Sequence, residues 1–212
     1  MLAMRVVHAN KTVMYPLLHN PMVSVPFKLY PISYQLCALG LVVFLHGCSL
    51  SVPAGVKPVA GFDINQYLGR WYEIARLDNR FQRGLEQVTA TYSLQEDGSV
   101  RVENTGWNSQ NKQKKTVIGK AKFVSAKQIG HLKVSFWGPF YSSYVIFHLE
   151  ADYSAALVCG ASSNYCWILA RSPMLSAEDL IKYRRIAEDH GFAIEHFKYA
   201  PSAVSPANVV DH

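Results

Sequence analysis

Polar and apolar residues alternate along several short stretches between residues 69 and 171. In residues 88–94, for example, Val88, Ala90 and Tyr92 fall on one face, and two threonines and a serine fall on the other. Consecutive side chains of a β-strand point to opposite faces, so a period of two predicts strands. With the turn residues between the stretches, the pattern predicts strands at residues 69–76, 88–94, 100–105, 116–124, 131–137, 144–150, 155–159 and 165–171.

One later segment has a helical pattern instead. Ser176, Glu178 and Asp179 are typical of a helix N-terminus, where a capping hydroxyl and early acidic groups are favourable. An apolar stripe at helical spacing then continues until Gly191, a residue that commonly ends helices. The sequence therefore predicts one C-terminal helix, followed by a short strand-like run at residues 193–199.

Even spacing of many short strands predicts an antiparallel sandwich or barrel. Two observations favour a hollow barrel. The predicted inward faces mix small residues such as Ala90 and Gly119 with large ones, whereas a packed sandwich uses large residues throughout. Residues 144–149 are apolar on both faces, as expected of a strand that the helix covers from outside. The predicted fold is all-β, an eight-stranded antiparallel barrel with one helix outside and a short final strand.

The first 47 residues differ from the rest of the chain. A basic residue, Lys28, precedes an apolar stretch of the length found in secretory signals, and the stretch ends at Gly47 and Cys48. This ending resembles the lipobox of bacterial lipoproteins, which implies cleavage before Cys48 and acylation of that cysteine. Ser49 after the cysteine points by the same resemblance to the outer membrane, with the periplasmic side expected. The long leader suggests that the true start is Met22.

These features predict four parts of the chain: a lipoprotein signal peptide at residues 1–47, a tether at 48–60, the barrel with its helix at 61–200, and a C-terminal tail at 201–212. The formal net charge of +6 does not indicate a nucleic-acid partner. The leader contributes basic groups and no acid, and the basic cluster of the body, Lys112, Lys114 and Lys115, lies in a polar loop typical of a solvated hairpin tip.

Three motifs follow one another at the expected places in the predicted barrel. Gly69 and Trp71 lie on the first strand, Asp152 and Tyr153 near the end of the sixth, and Arg171 at the end of the eighth. This set resembles the signature of the lipocalins, up-and-down barrels that carry small hydrophobic ligands. Residues 71–76, 81–86, 133–141 and 156–160 resemble the bacterial branch of that family, related to apolipoprotein D. The resemblance covers about residues 58–200.

The resemblance assigns roles to individual residues. Trp71 is expected to plug the closed barrel end with Arg171 stacked on it. Glu73 either faces the cavity or pairs with a neighbouring basic residue. Residues at the open end and on the inward faces are the expected ligand contacts: Val88, Ala90, Val102, Asn104, Val117, Gly119, Val134, Phe136, Phe81, Phe140, Tyr141, Tyr144 and Trp167. The implied ligands are fatty acids or lysophospholipids, stored or transported for membrane maintenance under stress. A homodimer is left open.

No catalytic motif, cofactor motif or metal-ligand spacing is present, so the chain is not expected to be an enzyme or to need a cofactor or metal. Cys159 and Cys166 flank a hairpin and, if opposed, could form a disulfide in the oxidising periplasm. The alternatives are a thiol-dependent isomerase of the same fold, a carrier of another hydrophobic ligand such as a tetrapyrrole, and a structural envelope lipoprotein with a filled barrel. The sequence places no basic residue beside either cysteine to activate its thiol, which argues against the thiol-dependent enzyme.

Overall fold

The computed structural model describes residues 50–203. The predicted signal peptide, its junction with Cys48 and the tail beyond residue 203 lie outside the described residues. Within them, no helix combines the length and the apolar character that crossing a bilayer requires.

The described chain forms one antiparallel sheet of nine strands. The strands are β1 (Gly69–Leu77), β2 (Leu85–Leu94), β3 (Val100–Asn108), β4 (Lys114–Phe123), β5 (His131–Trp137), β6 (Phe140–Leu149), β7 (Ala155–Cys159), β8 (Cys166–Ala170) and β9 (Phe197–Tyr199). Strands β2 to β8 pair in sequence order, and β1 pairs with both β8 and β2. This closes an eight-stranded barrel and confirms the predicted fold class.

The ninth strand lies outside the closed ring. β1 pairs with β2 only from Gly69 to Tyr72, and further along β1 the segment from Ala75 to Leu77 pairs with β9 instead. Near this point the pairing of β2 with β3 has a register irregularity between Glu86 and Thr89. The free backbone groups of β1 at the open end of the barrel are therefore satisfied by β9.

Two hydrophobic cores share the barrel wall, one inside the barrel and one beneath the helix. β6 contributes to both: Ile146 belongs to the inner core, and Val145 and Phe147 belong to the outer one. The outer core is covered by helix α2 (Ala177–Asp189). A side chain that is fully buried in this way contributes about 1.5–3 kcal/mol to folding. The apolar character of both faces of β6 is thereby explained.

Helix α2 begins as its sequence predicts. The Ser176 hydroxyl accepts a hydrogen bond from the Asp179 amide at 3.0 Å and donates one to the Asp179 carboxylate at 2.7 Å. Leu180, Tyr183 and Ala187 form its buried face. The cap satisfies an amide that has no partner inside the helix, and the apolar face fixes the helix against the outer wall.

The segment before the barrel packs more closely than a tether would. Val56 is buried in the outer core, and the backbone of Val59 donates to the Ile146 carbonyl at 2.9 Å and accepts from Gly130. Phe62 then enters the inner core ahead of the short helix α1 (Ile64–Tyr67). The described part of the predicted tether therefore packs on the barrel, because its spaced valines bury against the wall.

Candidate functional site: a cavity open at one end of the barrel

The closed end of the barrel is built around Trp71. Its indole is fully buried, and its Nε1 donates to the Tyr67 carbonyl at 2.8 Å. The Arg171 guanidinium lies over the indole, 4.1 Å from the ring centroid. Arg171 also donates to the carbonyls of Gln66, Leu68 and Arg70, which joins α1 to β1. These contacts seal this end.

The other signature residues act in the same region. Gly69 has a φ of +91°, a backbone conformation that favours glycine; a Cβ added there would make only an ordinary contact with Arg171 Nη1, at 3.5 Å. The Tyr153 hydroxyl accepts a hydrogen bond from the Asp63 amide at 2.9 Å, which fixes the start of α1. Asp152 accepts from the Ser154 amide in the β6–β7 turn. All of these contacts are structural.

Between the closed end and the opposite rim lies a cavity of about 520 Å³. This volume is within the range of small-molecule sites. Twelve of the thirteen ligand contacts expected from the sequence line it: Val88, Ala90, Val102, Asn104, Val117, Val134, Phe136, Phe81, Phe140, Tyr141, Tyr144 and Trp167. They belong to distant strands and loops, and barrel closure brings them together.

Gly119 is the exception among these expected contacts. A Cβ built on it would lie 2.8 Å from the Phe136 ring and 2.7 Å from the Ser135 carbonyl. The space left by the missing side chain is therefore filled by Phe136 from the neighbouring strand and is not available to a ligand. The expectation that Gly119 contributes open volume is corrected accordingly: its small size accommodates Phe136.

Two bulges place residues on a different face from the one that strict alternation predicts. β1 shifts register between Glu73 and Ala75, so Glu73 and Arg76 meet on one side although their spacing predicts opposite faces. β5 is irregular between Val134 and Trp137, and Trp137 lines the cavity together with Phe136. The sequence contains no local signal for either bulge.

A buried polar cluster follows from the first bulge. Arg76 Nη1 donates to the Glu73 carboxylate at 2.5 Å, and Gln82 Nε2 donates to its other oxygen at 2.6 Å. Gln82 Oε1 accepts from Asn79 at 2.9 Å and from Trp167 Nε1 at 2.8 Å. Glu73 therefore both lines the cavity and pairs with a basic residue, so its two expected roles coexist. Burial raises the pKa of Glu73, and Arg76 partly offsets that effect.

The Gln82 bonds attach the loop between β1 and β2 to the barrel mouth. That loop also carries Phe81, which is half exposed beside the Arg80 guanidinium. Trp137 and Phe140 are likewise exposed at the mouth, Trp137 by 65%. Arg80 and Lys115 both line the cavity at this end. The mouth therefore combines aromatic surface with positive charge.

The deep part of the cavity contains three tyrosines. The Tyr144 hydroxyl lies 2.7 Å from the Tyr67 hydroxyl and 2.7 Å from the Tyr92 hydroxyl. The Tyr67 ring packs on Trp71, with the centroids 4.6 Å apart. Burial raises the pKa of all three phenols, in the case of Tyr92 to about 12. All three are therefore neutral at physiological pH.

Cys159 and Cys166 lie outside the cavity, in the core beneath α2. They are directly opposed in the β7–β8 ladder, and both are free thiols in the structure. Burial raises the pKa of both thiols, so neither is a ready nucleophile. Within residues 50–203, no group of three His, Cys, Asp or Glu side chains could hold a metal ion.

A closed eight-stranded barrel with a sealed end and an apolar cavity defines the lipocalin class. The Lipocalin-like domain family matches residues 62–202. The chain belongs to this family. The match spans the barrel, α2 and β9.

Among individual proteins, the chain is 46% identical over 158 residues to the outer membrane lipoprotein Blc of Vibrio cholerae, covering 74% of this chain and 92% of that one. It is 31% identical to mouse apolipoprotein D, covering 68% and 79%. The solved structure of insecticyanin from Manduca sexta shares the fold, with a TM-score of 0.58 at 18% identity over 74% of this chain and 89% of that one. The Blc relative confirms the outer-membrane localisation predicted from the leader.

Proposed function

We propose that the cavity binds single-chain lipids, fatty acids or lysophospholipids, and that the protein stores or transports them at the outer membrane. The observation that carries this proposal is the distribution of polarity in the cavity. Its walls are mainly aliphatic and aromatic, and the cationic side chains that line it in the described chain, Arg80 and Lys115, are both at the mouth. An acyl chain inside and an anionic headgroup at the rim match this arrangement.

The energetics favour a chain of substantial length. Each methylene group that leaves water contributes about 0.8 kcal/mol, so affinity grows with the buried part of the chain. The headgroup adds charge complementarity at the mouth, where solvent reduces its energetic value. Asn104 lines the cavity, and its Oδ1 is buried without a hydrogen-bond partner among the described residues. A lysophospholipid has a glycerol hydroxyl that can donate a hydrogen bond to this oxygen.

Adjacent residues on β4 provide a matched test. Val117 lines the cavity, whereas Ile118 points outward and is 55% exposed. Val117→Trp should fill the passage and weaken binding of a fluorescent lysophospholipid at least tenfold, with little change in the melting temperature. Ile118→Trp adds the same side chain on the outer face and should bind as the wild type does. Equal affinities in the two variants would contradict binding in the cavity.

The ligand itself can be identified by native mass spectrometry of the purified protein. A co-purified fatty acid or lysophospholipid would support the proposal. A co-purified tetrapyrrole, visible by its absorbance, would favour the other carrier class. If the delipidated wild type takes up neither fluorescent lysophospholipid nor fatty acid, the carrier proposal fails.

A further inference from the structure

The tyrosine cluster, defined as Tyr67, Tyr92 and Tyr144, has more donors than it uses. Its three hydroxyls carry three protons, because burial keeps the phenols neutral. Two hydrogen bonds join them, from Tyr144 to each of the others, and each bond uses one proton whichever atom donates. No other group within residues 50–203 forms a hydrogen bond with these hydroxyls. One proton is therefore left without an acceptor.

The surroundings of the cluster make this surplus proton relevant to the ligand. All three tyrosines line the cavity, and the neighbouring lining residues Val100, Leu132 and Leu169 are apolar. In the empty cavity, water can accept the proton. A purely aliphatic chain would displace that water and leave a buried donor unsatisfied, which reduces affinity.

We propose that the tyrosine cluster is a hydrogen-bond-donating site for an oxygen atom on the buried part of the ligand, and that the preferred ligand is a single-chain lipid whose acyl chain carries a hydroxyl or carbonyl group. The inference rests on the proposed function, because it concerns the same cavity. It adds a specificity that neither the volume nor the mouth provides.

The accepting oxygen has two sources: an oxygenated position along the chain, or the carboxylate of a fatty acid that enters headgroup first. The structure favours an oxygen along the acyl chain of the ligand. The cationic lining residues Arg80 and Lys115 lie at the mouth, and a buried carboxylate would lose hydration without pairing with either. A neutral carbonyl or hydroxyl has a smaller desolvation cost and can accept the same proton.

The experiment compares octadecanoic acid with octadecanoic acids that carry one ketone at successive positions, by displacement of a fluorescent lysophospholipid from the delipidated full chain. A ketone accepts a hydrogen bond and cannot donate one. One position in the series should bind roughly 2- to 10-fold tighter than plain octadecanoate, the factor expected for one net hydrogen bond. Equal binding across the whole series would overturn the inference.

The number of hydroxyl protons left in the tyrosine cluster predicts the effect of each variant. Tyr144→Phe leaves two hydroxyls and removes their shared partner, so it should retain the ketone preference. The triple variant Tyr67→Phe/Tyr92→Phe/Tyr144→Phe removes every donor. The dissociation constant of plain octadecanoate divided by that of the preferred ketone acid should therefore fall to about one. It should fold, because replacing all partners of a buried polar group together is nearly neutral. Tyr72→Phe removes a hydroxyl outside the barrel and should leave the ratio as in the wild type.

A second measurement uses the wild type alone and covers the case in which the triple variant does not fold. The carbonyl carbon of a labelled ketone should shift downfield in the NMR spectrum on binding, as hydrogen-bonded carbonyls do. A shift typical of an apolar solvent would overturn the inference.

Two comparisons distinguish the sources of the oxygen. A lysophospholipid with the same ketone should keep the preference, because its headgroup cannot enter first. If plain octadecanoate, which has no oxygen along its chain, loses affinity in the triple variant, the carboxylate is the acceptor and the oxygenated-chain assignment is wrong. If neither octadecanoate nor the lysophospholipid displaces the probe from the wild type, the proposed lipid function itself fails. If both bind without any ketone preference, only this inference fails.

Discussion

Trp71 and Arg171 show how single residues close the barrel. Trp71 has no exposed surface, and the Arg171 guanidinium covers one face of its ring while bonding to three carbonyls. Burial lowers the pKa of Arg171, yet the group remains charged because arginine is strongly basic. The indole is buried and the guanidinium is partly buried, so their attraction lies between about 0.5–1 kcal/mol, typical of exposed pairs, and about 2 kcal/mol, typical of desolvated ones.

Removing either member of this pair should destabilise the fold. Trp71→Ala should lower the free energy of unfolding by about 3–5 kcal/mol, as truncation of a packed aromatic residue does. Arg171→Ala should also destabilise, and the double variant should lose less than the summed effects because the two side chains share one contact. Urea unfolding of the four proteins measures the coupling. Arg70→Ala, at an exposed neighbouring position on β1, is the control, and its loss in free energy of unfolding should add to that of Trp71→Ala. Strict additivity of the losses for Arg171→Ala and Trp71→Ala as well would contradict the proposed stacking.

At the scale of elements, the β7–β8 hairpin places two cysteines opposite each other. Directly opposed residues of an antiparallel ladder have Cα atoms ~4.5–5.5 Å apart, within the range of ~4.4–6.8 Å that a disulfide spans. Both thiols are free and buried in the structure, under α2. The register therefore permits the disulfide that the sequence leaves open, and the redox state of the compartment decides whether it forms.

Protein isolated from the periplasmic side should accordingly contain the Cys159–Cys166 disulfide, because that compartment is oxidising. Alkylation under denaturing conditions without reductant, followed by mass spectrometry, should leave both cysteines unmodified. The same protein treated with reductant first should be alkylated at both. Full alkylation without reductant would show that the pair remains as free thiols.

At the scale of the whole molecule, the barrel and the predicted N-terminal anchor are separate features of one chain. The barrel supplies the cavity, and the predicted acylation of Cys48 would supply attachment to the membrane. Several acyl chains at about 0.8 kcal/mol per buried methylene make attachment effectively permanent. The described chain begins two residues after Cys48, so the anchor stays a prediction from the leader.

Cys48→Ala should abolish labelling of the protein with radioactive palmitate and release it from outer-membrane vesicles or leave it uncleaved. Because Cys48 precedes the first barrel strand by about twenty positions in the sequence, the variant's affinity for fluorescent lysophospholipid should match that of the wild type. Ser49→Ala is the matched control, since the acylated residue is intact. A Cys48→Ala protein that still floats with outer-membrane vesicles would refute acylation as the anchor.

The order of the strands and the position of the helix follow from the sequence because each depends on local patterns. Alternation around Val88 and Ala90 identifies a strand whatever its partners are, and the Ser176 cap identifies the start of α2 from four consecutive residues. Trp71 and Arg171 could be paired in advance only through the family resemblance.

Tertiary structure decided which side chains reach the cavity and what they do there. The bulges that bring Glu73 to Arg76 and Trp137 to the lining arise from pairing between strands. Phe136 fills the space beside Gly119 because the two residues meet across neighbouring strands. Alternation along one strand does not encode which residues of the next strand lie opposite. The surplus proton of the tyrosine cluster likewise depends on three hydroxyls from α1, β2 and β6 meeting at one point. Local sequence specifies the faces of the strands, and only closure of the barrel specifies which faces touch.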